Sequence, residues 1–432
     1  MDNLIRHDLG NGINLYIIPS SKFKAISIRL FMHQELNENA SKTALLPLVL
    51  RRGCKGYDTQ RKIRIYLDEL FGAFFEVGVQ KKGERHVMVF GMSIPNEQYI
   101  GQENSTLAKA IQFLNRIVMD PVTENGVFLQ KYVEQEKVNL TQIIQSLIND
   151  KAQYAIERCL QIMCQNERFS HYTYGDLQSL KDITTTNLYD HYERSIASSP
   201  IDIFVAGDVS EDQVGSVTEE MIKLTREKIQ IIPEEIIKKA TGKVKEVVEE
   251  MNVLQGKLVM GYRTNTSYTD RLYFPLVVFS AILGGGPHSK LFINLREKAQ
   301  LAYYSYARLE KFKGLMLISA GIDSENYHRT LDIIAKQIVD IRKGEISQTE
   351  YERAVKYLTA SLMASNDSQE QLIDFHMGNV IKNMNISISS FIERIEKVTL
   401  DQIINVSHRI KLDTIYFLRK KRKGSGIRGK SH

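Results

Sequence analysis

At 432 residues, with 43% hydrophobic and 25% charged side chains, the chain is too long for one ordinary domain and too apolar to be disordered. Its net charge of +6 is uneven: Arg419 to Lys430 carries seven basic residues and no acidic one, leaving 50 basic against 51 acidic side chains in the body. A body so close to neutral speaks against nucleic acid as a partner, and the tail RKKRKGSGIRGKSH, although such tails can touch nucleic acid or acidic membranes, reads as a solvated, disordered end.

In chain order, Asn11 to Pro19 and Ala25 to Met32 are rich in isoleucine and leucine and predict strands. Helices follow over Thr43 to Arg52 and Thr59 to Phe71, the second closed by Gly72. Phe74 to Val79 and His86 to Ile94 predict a hairpin around residues 81 to 83. Leu107 to Val118 is an amphipathic helix that Pro121 interrupts. Val127 to Cys164 keeps a helical period with a break near Asn149 and Asp150, and Asp176 to Ser195 predicts a helix pair. Ile201 to Val209 is a buried strand that closes the first half. Residues 226 to 250 are charged with little apolar period and read as a linker.

The second half repeats the first. Leu177, Leu180, Ile183, Thr184 and Leu188 match Ile392, Ile395, Val398, Thr399 and Ile403, every pair 215 positions apart. The fold predicted is α+β: two similar lobes, each a sheet packed on helices. Their bounds are 1–225 and 251–418, with 226–250 between them and 419–432 as the tail.

Cys54, Cys159 and Cys164 are odd in number, lack CxxC spacing and suit a reducing compartment. The N-terminus MDNLIRHDLGNG has no apolar core of a signal peptide. The longest apolar run, near Phe274 to Leu283, is too short to span a bilayer. A cytoplasmic location without a membrane span is the expectation.

The most informative stretch is AILGGGPHSKLFINLREKAQLAYYSY, Ala281 to Tyr306. Three glycines, Gly284, Gly285 and Gly286, and Pro287 precede a helix in which Leu291, Leu295 and Lys298 share a face beside Arg296. A helix that ran on would set Arg296 and Tyr303 about 10.5 Å apart along its axis. A break near Gln300 would start a strand at Tyr303 and set it beside Arg296 across a turn. By themselves the two read as an exposed arginine and a half-buried tyrosine. LGGGPHSKLF followed by LREKAQLAY, however, resembles the C-terminal-half signature of the M16 (pitrilysin or insulinase-like) metallopeptidases. HYTYGDLQSLKDITTTNLYDHY, 171 to 192, and AGDV, 206 to 209, resemble the same family, so the likeness spans roughly residues 5 to 418. It implies two homologous lobes of LuxS/MPP-like type, each with a mostly antiparallel sheet. It also implies that Arg296 and Tyr303 hold substrate across from a zinc site. Gln300 stands where the family usually has glycine.

Active members of the family carry His-x-x-Glu-His on the first helix of the first half, with a glutamate downstream as third ligand. Here the corresponding helix reads TALLPLVLRRG, which puts Ala44, Leu45, Leu46, Pro47 and Leu48 at the motif. A register three residues later, Pro47 to Arg51, also lacks histidine and glutamate, and the downstream ligand falls near Gln142. No two of the ten histidines lie within five residues of each other. His33 near Glu35, and His288 in the glycine turn, read as satisfied histidines rather than ligands. The three glycines are not GxGxxG, no GxSxG is present, and Cys54 has no evident histidine partner.

What the resemblance implies is a non-catalytic subunit that binds no metal itself. It would supply Arg296 and Tyr303 to the zinc site of an HxxEH-containing partner in a heterodimer, with a peptide as substrate, or form a homodimer when alone. In that reading Gly284 to Gly286 let backbone approach an extended peptide, and a sheet edge takes the peptide as an added strand. From a different class comes a structural or peptide-holding subunit with no part in proteolysis. An independently active enzyme would need a metal site of another kind.

Overall fold

A computed structural model of the chain describes residues 4–100, 106–218, 226 and 228–421. The first strands are β1 Ile5–Asp8, β2 Ile13–Pro19 and β3 Ala25–Glu35, followed by helices α1 Ala40–Leu50 and α2 Gln60–Glu69. The hairpin β4 Phe74–Lys82 with β5 Arg85–Pro95 leads to α3 Thr106–Met119 and a short ladder, β6 Thr123–Glu124 with β7 Val127–Phe128. Then come α4 Gln130–Ser146, α5 Lys151–Met163, α6 Leu177–Lys181, α7 Thr185–Ser198, β8 Ile201–Gly207 and α8 Glu211–Thr218. The later part holds β9 Lys245–Met251, β10 Gly256–Arg263, α9 Tyr273–Gly284, β11 Ala302–Glu310 and β12 Leu315–Ile322. It closes with α10 Tyr327–Arg342, α11 Gln348–Ser365, α12 Gln369–Ile381, α13 Ile388–Glu396, α14 Leu400–Ser407 and β13 Lys411–Lys420.

Local chemistry accounts for the element ends. Thr59 accepts the Lys62 N–H at the start of α2. Asp150 accepts from Ala152 and Gln153 and so starts α5 at the break that the sequence predicts. The repeat is equally local in origin. Thr184 begins α7 with a reciprocal cap, its hydroxyl accepting from the Asn187 N–H at 3.2 Å while the Asn187 side chain accepts the Thr184 N–H at 3.0 Å. Thr399 begins α14 in the same way with Gln402, at 3.4 and 3.0 Å. The matched apolar positions Leu188 and Ile403 are both fully buried.

Contacts divide the chain into two compact units. Unit 1 comprises Met1–Ser146, Asn166–Ile236 and Thr359–Arg394; unit 2 comprises Leu147–Gln165, Ile237–Leu358 and Ile395–His432. Unit 1 holds a sheet of order β1-β2-β8-β3-β5-β4, antiparallel except where β2 pairs β8. Unit 2 holds β11-β12-β10-β13-β9, antiparallel except where β13 pairs β9. Read from opposite ends, β2-β8-β3-β5-β4 and β9-β13-β10-β12-β11 are one pattern, as a duplication requires. The strand Ile201–Gly207, the last of the first half of the sequence, lies inside its sheet and is buried throughout. In unit 1, Leu15, Ile28, Leu30 and Phe90 of the sheet form one core with Leu45, Leu46, Phe113 and Leu114 of α1 and α3.

The bounds 1–225 and 251–418 do not match these units, because α5 and α12 each pack outside their own half of the sequence. Helix α5 buries Ala155, Cys159 and Leu160 and lies on β10 and β13. Gly261 of β10 admits it: a Cβ there would sit 2.7 Å from Met163 Sδ. Arg158 donates to Glu249 of β9 at 2.7 Å, and Tyr416 donates to the same carboxylate at 2.8 Å. Burial works to raise the Glu249 carboxyl, but these donors outweigh it and hold it below the ordinary value. Helix α12 packs in turn on β8, with Gln369 Nε2 donating to the carbonyls of Ala25 and Ala206 at 2.9 and 2.7 Å.

The linker reading of 226–250 agrees with 228–244, which form no helix or strand and contain the boundary between the units, and is corrected beyond them. Lys245–Met251 is a strand whose alternating exposure suits a sheet edge. Arg419 and Lys420, assigned to the tail, belong to β13, and Arg419 pairs with Glu250 at 2.7 Å. The rest of the basic tail, 422–432, lies outside the described residues. The three cysteines are free and buried, and burial pushes the Cys54 thiol up to about 11. Among the described residues no helix is long and apolar enough to cross a membrane.

Equivalent caps predict equivalent losses. Thr184→Ala and Thr399→Ala should each cost about 1 kcal/mol, read as matching downward shifts in denaturant or thermal midpoints; an unchanged midpoint for either would remove its cap from the account.

Candidate functional site

The segment that holds Arg296 and Tyr303 belongs to unit 2. After Pro287 the chain forms a helix that widens over Phe292–Lys298, where the Ala299 N–H donates to the Asn294 carbonyl five residues back at 3.2 Å. Leu291 and Leu295 are fully buried and anchor the turn, whereas Lys298, expected on their face, is exposed because the wider winding rotates it out. Lys290, buried, pairs with Glu350 of α11 at 2.8 Å. Burial tends to raise the Glu350 carboxyl, yet Lys290 and the Ser347 donors hold it below its usual value. Asn294 donates to Gln337 of α10 at 3.0 Å, and the Leu301 N–H donates to the Leu295 carbonyl at 2.8 Å and ends the helix.

The break falls at Gln300, which adopts φ +54°. That left-handed conformation suits glycine and costs an L-residue about 1–2 kcal/mol. Beyond it the chain enters β11, an edge strand paired with β12. Ala302 pairs with Ile322 and Tyr304 with Gly321, so Tyr303 is the extra residue of a bulge. Tyr303 is 53% exposed, more than the half-buried state the sequence suggests. Arg296 is exposed, with its guanidinium 5.0 Å from the centre of the Phe292 ring. Among the described residues, neither the Arg296 guanidinium nor the Tyr303 hydroxyl has a hydrogen-bond or ion-pair partner. A turn from a wide helix into a bulged edge strand thus carries an exposed cation whose only described contact is an aromatic ring, and an exposed phenol.

The glycines have reasons inside the unit. A Cβ on Gly284, the last residue of α9, would lie 2.3 Å from the backbone nitrogen of Ala307 in β11. One on Gly285 would lie 2.6 Å from Ala281 Cα. Helix α9 can press on the edge strand only without a side chain at Gly284, and Gly285 ends the helix close against Ala281, so neither glycine needs a bound peptide to explain it. Gly286 has looser surroundings, with His288 at 3.2 Å and Tyr357 at 3.4 Å.

At the positions matched to the zinc motif, Ala44 and Leu48 are 2% and 8% exposed and belong to the unit 1 core. Pro47 is buried inside α1, where it removes a backbone donor. Gln142, on α4, is exposed. A zinc ion does not fit these residues, since methyls and a pyrrolidine ring offer it no lone pair. Among the described residues no group of three or more His, Cys, Asp or Glu is placed to hold a metal.

Charge is nevertheless present beside the matched positions, and the sequence reading missed it. Glu136 of α4 is fully buried. It is paired with Arg52, which follows α1, lies 3.6 Å from Arg51, and accepts from Asn139 at 2.9 Å. Its spacing with Val133 and Leu140, both buried on α4, was the available signal: a carboxylate on an apolar helix face needs a partner. A second buried polar group lies where α1 meets its neighbours. Thr43 donates to Gln34 at 2.9 Å and lies 3.1 Å from His191 Nε2. Burial lowers the His191 imidazole to about 4.

Comparisons with known proteins follow the same lines. The pattern described as Peptidase M16 inactive domain matches residues 182–358. The chain is 38% identical over 411 residues to a Bacillus subtilis (strain 168) protein named "Probable inactive metalloprotease YmfF", covering 94% of this chain and 96% of that one. A crystal structure of a conserved protein from Enterococcus faecalis V583 superposes with a TM-score of 0.91 at 30% identity, over 98% of this chain and all of that one. A peptidase M16 inactive domain from Pseudomonas fluorescens shares the fold alone, with a TM-score of 0.79 at 17% identity over 97% of this chain and 99% of its own.

Two substitutions test these assignments. Glu136→Ala strands two arginines and should cost roughly 3 kcal/mol, measured by denaturant unfolding; a loss below 1 kcal/mol would mark the pair as a surface-like contact. Gln300→Gly removes the left-handed strain, partly offset by glycine's greater chain entropy, and should raise stability by roughly 0.5–1 kcal/mol. A decrease would mean that the Gln300 side chain makes a contact that outweighs its backbone.

Proposed function

This chain belongs to peptidase family M16, and on that premise we propose that it is the non-catalytic subunit of a heterodimeric zinc metallopeptidase of the cytoplasm. Its role is to present Arg296 and Tyr303 to the zinc site of a partner chain that carries His-x-x-Glu-His. The observation that carries the reading is the pairing of an exposed Arg296 and Tyr303 with apolar packing at Ala44, Pro47 and Leu48. An exposed arginine without an acidic partner and an exposed phenol without a hydrogen-bond partner, both on one turn, are available to a group outside their own unit. A core of methyl groups cannot activate water.

Arg296 holds a carbonyl or carboxylate of the bound peptide through its planar fork of donors. Stacking on Phe292 limits the directions that the fork can take. Tyr303 donates its hydroxyl proton toward the oxygen that gains charge at the scissile carbonyl. The bulge turns Tyr303 out of the β11 ladder, and Gly284 keeps α9 close enough to hold that strand in place. The relative named as a probable inactive metalloprotease supports the non-catalytic half of the reading.

The test mixes this chain with an M16 chain bearing an intact His-x-x-Glu-His and measures cleavage of a fluorogenic peptide. Arg296→Ala and Tyr303→Phe should each lower kcat/KM of the mixture by roughly 10²-fold, with the complex still eluting as one species. Full activity from both variants would leave this chain a structural or peptide-holding subunit instead.

A further inference from the structure

Unit 1 holds a partly open cavity of about 420 Å³ far in sequence from Arg296 and Tyr303, and its lining is rich in polar side chains. Neighbouring strands contribute one polar side chain each: Arg6 of β1, Asn14 of β2, Asp202 of β8, His33 of β3 and Arg85 of β5. The loop after α12 closes the cavity with Asn383 and its neighbours.

Four of these groups form a chain. Arg6 donates to Asn14 Oδ1 at 3.0 Å, and Asn14 Nδ2 donates to Asp202 Oδ1 at 3.1 Å. Asp202 Oδ2 lies 3.0 Å from His33 Nε2, an ion-pair distance at an angle short of a hydrogen bond. His33 is 1% exposed, and its Nδ1 has no hydrogen-bond partner among the described residues. Arg85 stands apart from the chain: among the described residues no hydrogen bond or ion pair engages its guanidinium. Burial, the largest influence, lowers its pKa, against Glu235, Asp202 and Glu234. Of these acids, Glu235 is already taken by Lys382. A half-buried guanidinium without a partner is costly unless an anion joins it.

We propose that this cavity binds a small zwitterion, a free amino acid or a dipeptide. Arg85 receives the carboxylate; Asp202, which has lone pairs left after His33 and Asn14, receives the ammonium. The volume falls in the range of small-molecule sites, about 300–1,000 Å³. Carboxamides at Asn14 and Asn383 suit the polar groups between the two poles. The proposal does not rest on the subunit reading, and it is measured on this chain without a partner.

Titration calorimetry on the full chain, with the free amino acids and alanyl-alanine as probes, tests it. At least one probe should bind, and blocking its amine by acetylation or its carboxylate by amidation should each weaken binding by about tenfold or more. Those comparisons use the unaltered protein, so folding of a variant does not decide them. Arg85→Ala should abolish the difference between the acid and its amide while leaving the circular dichroism spectrum unchanged. No binding by any probe at millimolar concentration, equal binding of blocked and unblocked forms, or binding of inorganic phosphate alone would each overturn the zwitterion assignment.

Discussion

Each sheet of this protein is completed by a helix from the other half of the sequence. Helix α5 reaches the second sheet through Gly261 and the Arg158–Glu249–Tyr416 cluster, and α12 reaches the first through Gln369 and the Lys82–Asp374 pair. The interaction is mixed in kind. Apolar burial of Cys159, Leu160 and their neighbours supplies most of the driving force, while the fixed donors on Glu249 select the orientation. Neither half of the chain alone carries a complete core.

Within that frame the two duplicated sheets have diverged in what they hold at their helix contacts. In the first unit, α1 meets α4 through Arg51, Arg52 and the buried Glu136. The resemblance to active members of the family implies a metal between the corresponding pair of helices there. Here a carboxylate and two guanidinium groups tie that pair, with leucine and alanine filling the remaining volume. In the second unit the comparable contacts hold a turn and an edge strand. Lys290, Asn294 and Gly284 fix a wide turn and an edge strand so that Arg296 and Tyr303 stand free of them.

Much of this was legible in the sequence where the cause is local. The reciprocal caps at Thr184 and Thr399 need only residues three positions away, so the 215-residue offset showed both helices and their equivalence. The break at Gln300 was legible for the same reason. Partner choice was not. The apolar period of α5 announces a buried face but not which sheet receives it, and Glu249 lies far from Arg158 in sequence. Lys245–Met251 looked like a linker because an edge strand with alternating lysine, glutamate and valine has a weak apolar signal. His33 and Asp202 meet only because β3 and β8 are neighbours; Asp202 alone is one polar residue in an apolar strand, and His33 is one of several on β3.

The proline at position 47 makes the loss of the metal site hard to reverse. A histidine placed back at position 44 or 48 would enter a sealed apolar core with no cation to satisfy it, and would be a net burden. Glutamate at position 47 would regain the backbone donor but would bring a carboxylate into a buried stretch of α1. A ligand restored at one of these positions alone would be a polar side chain in a core packed for methyl groups.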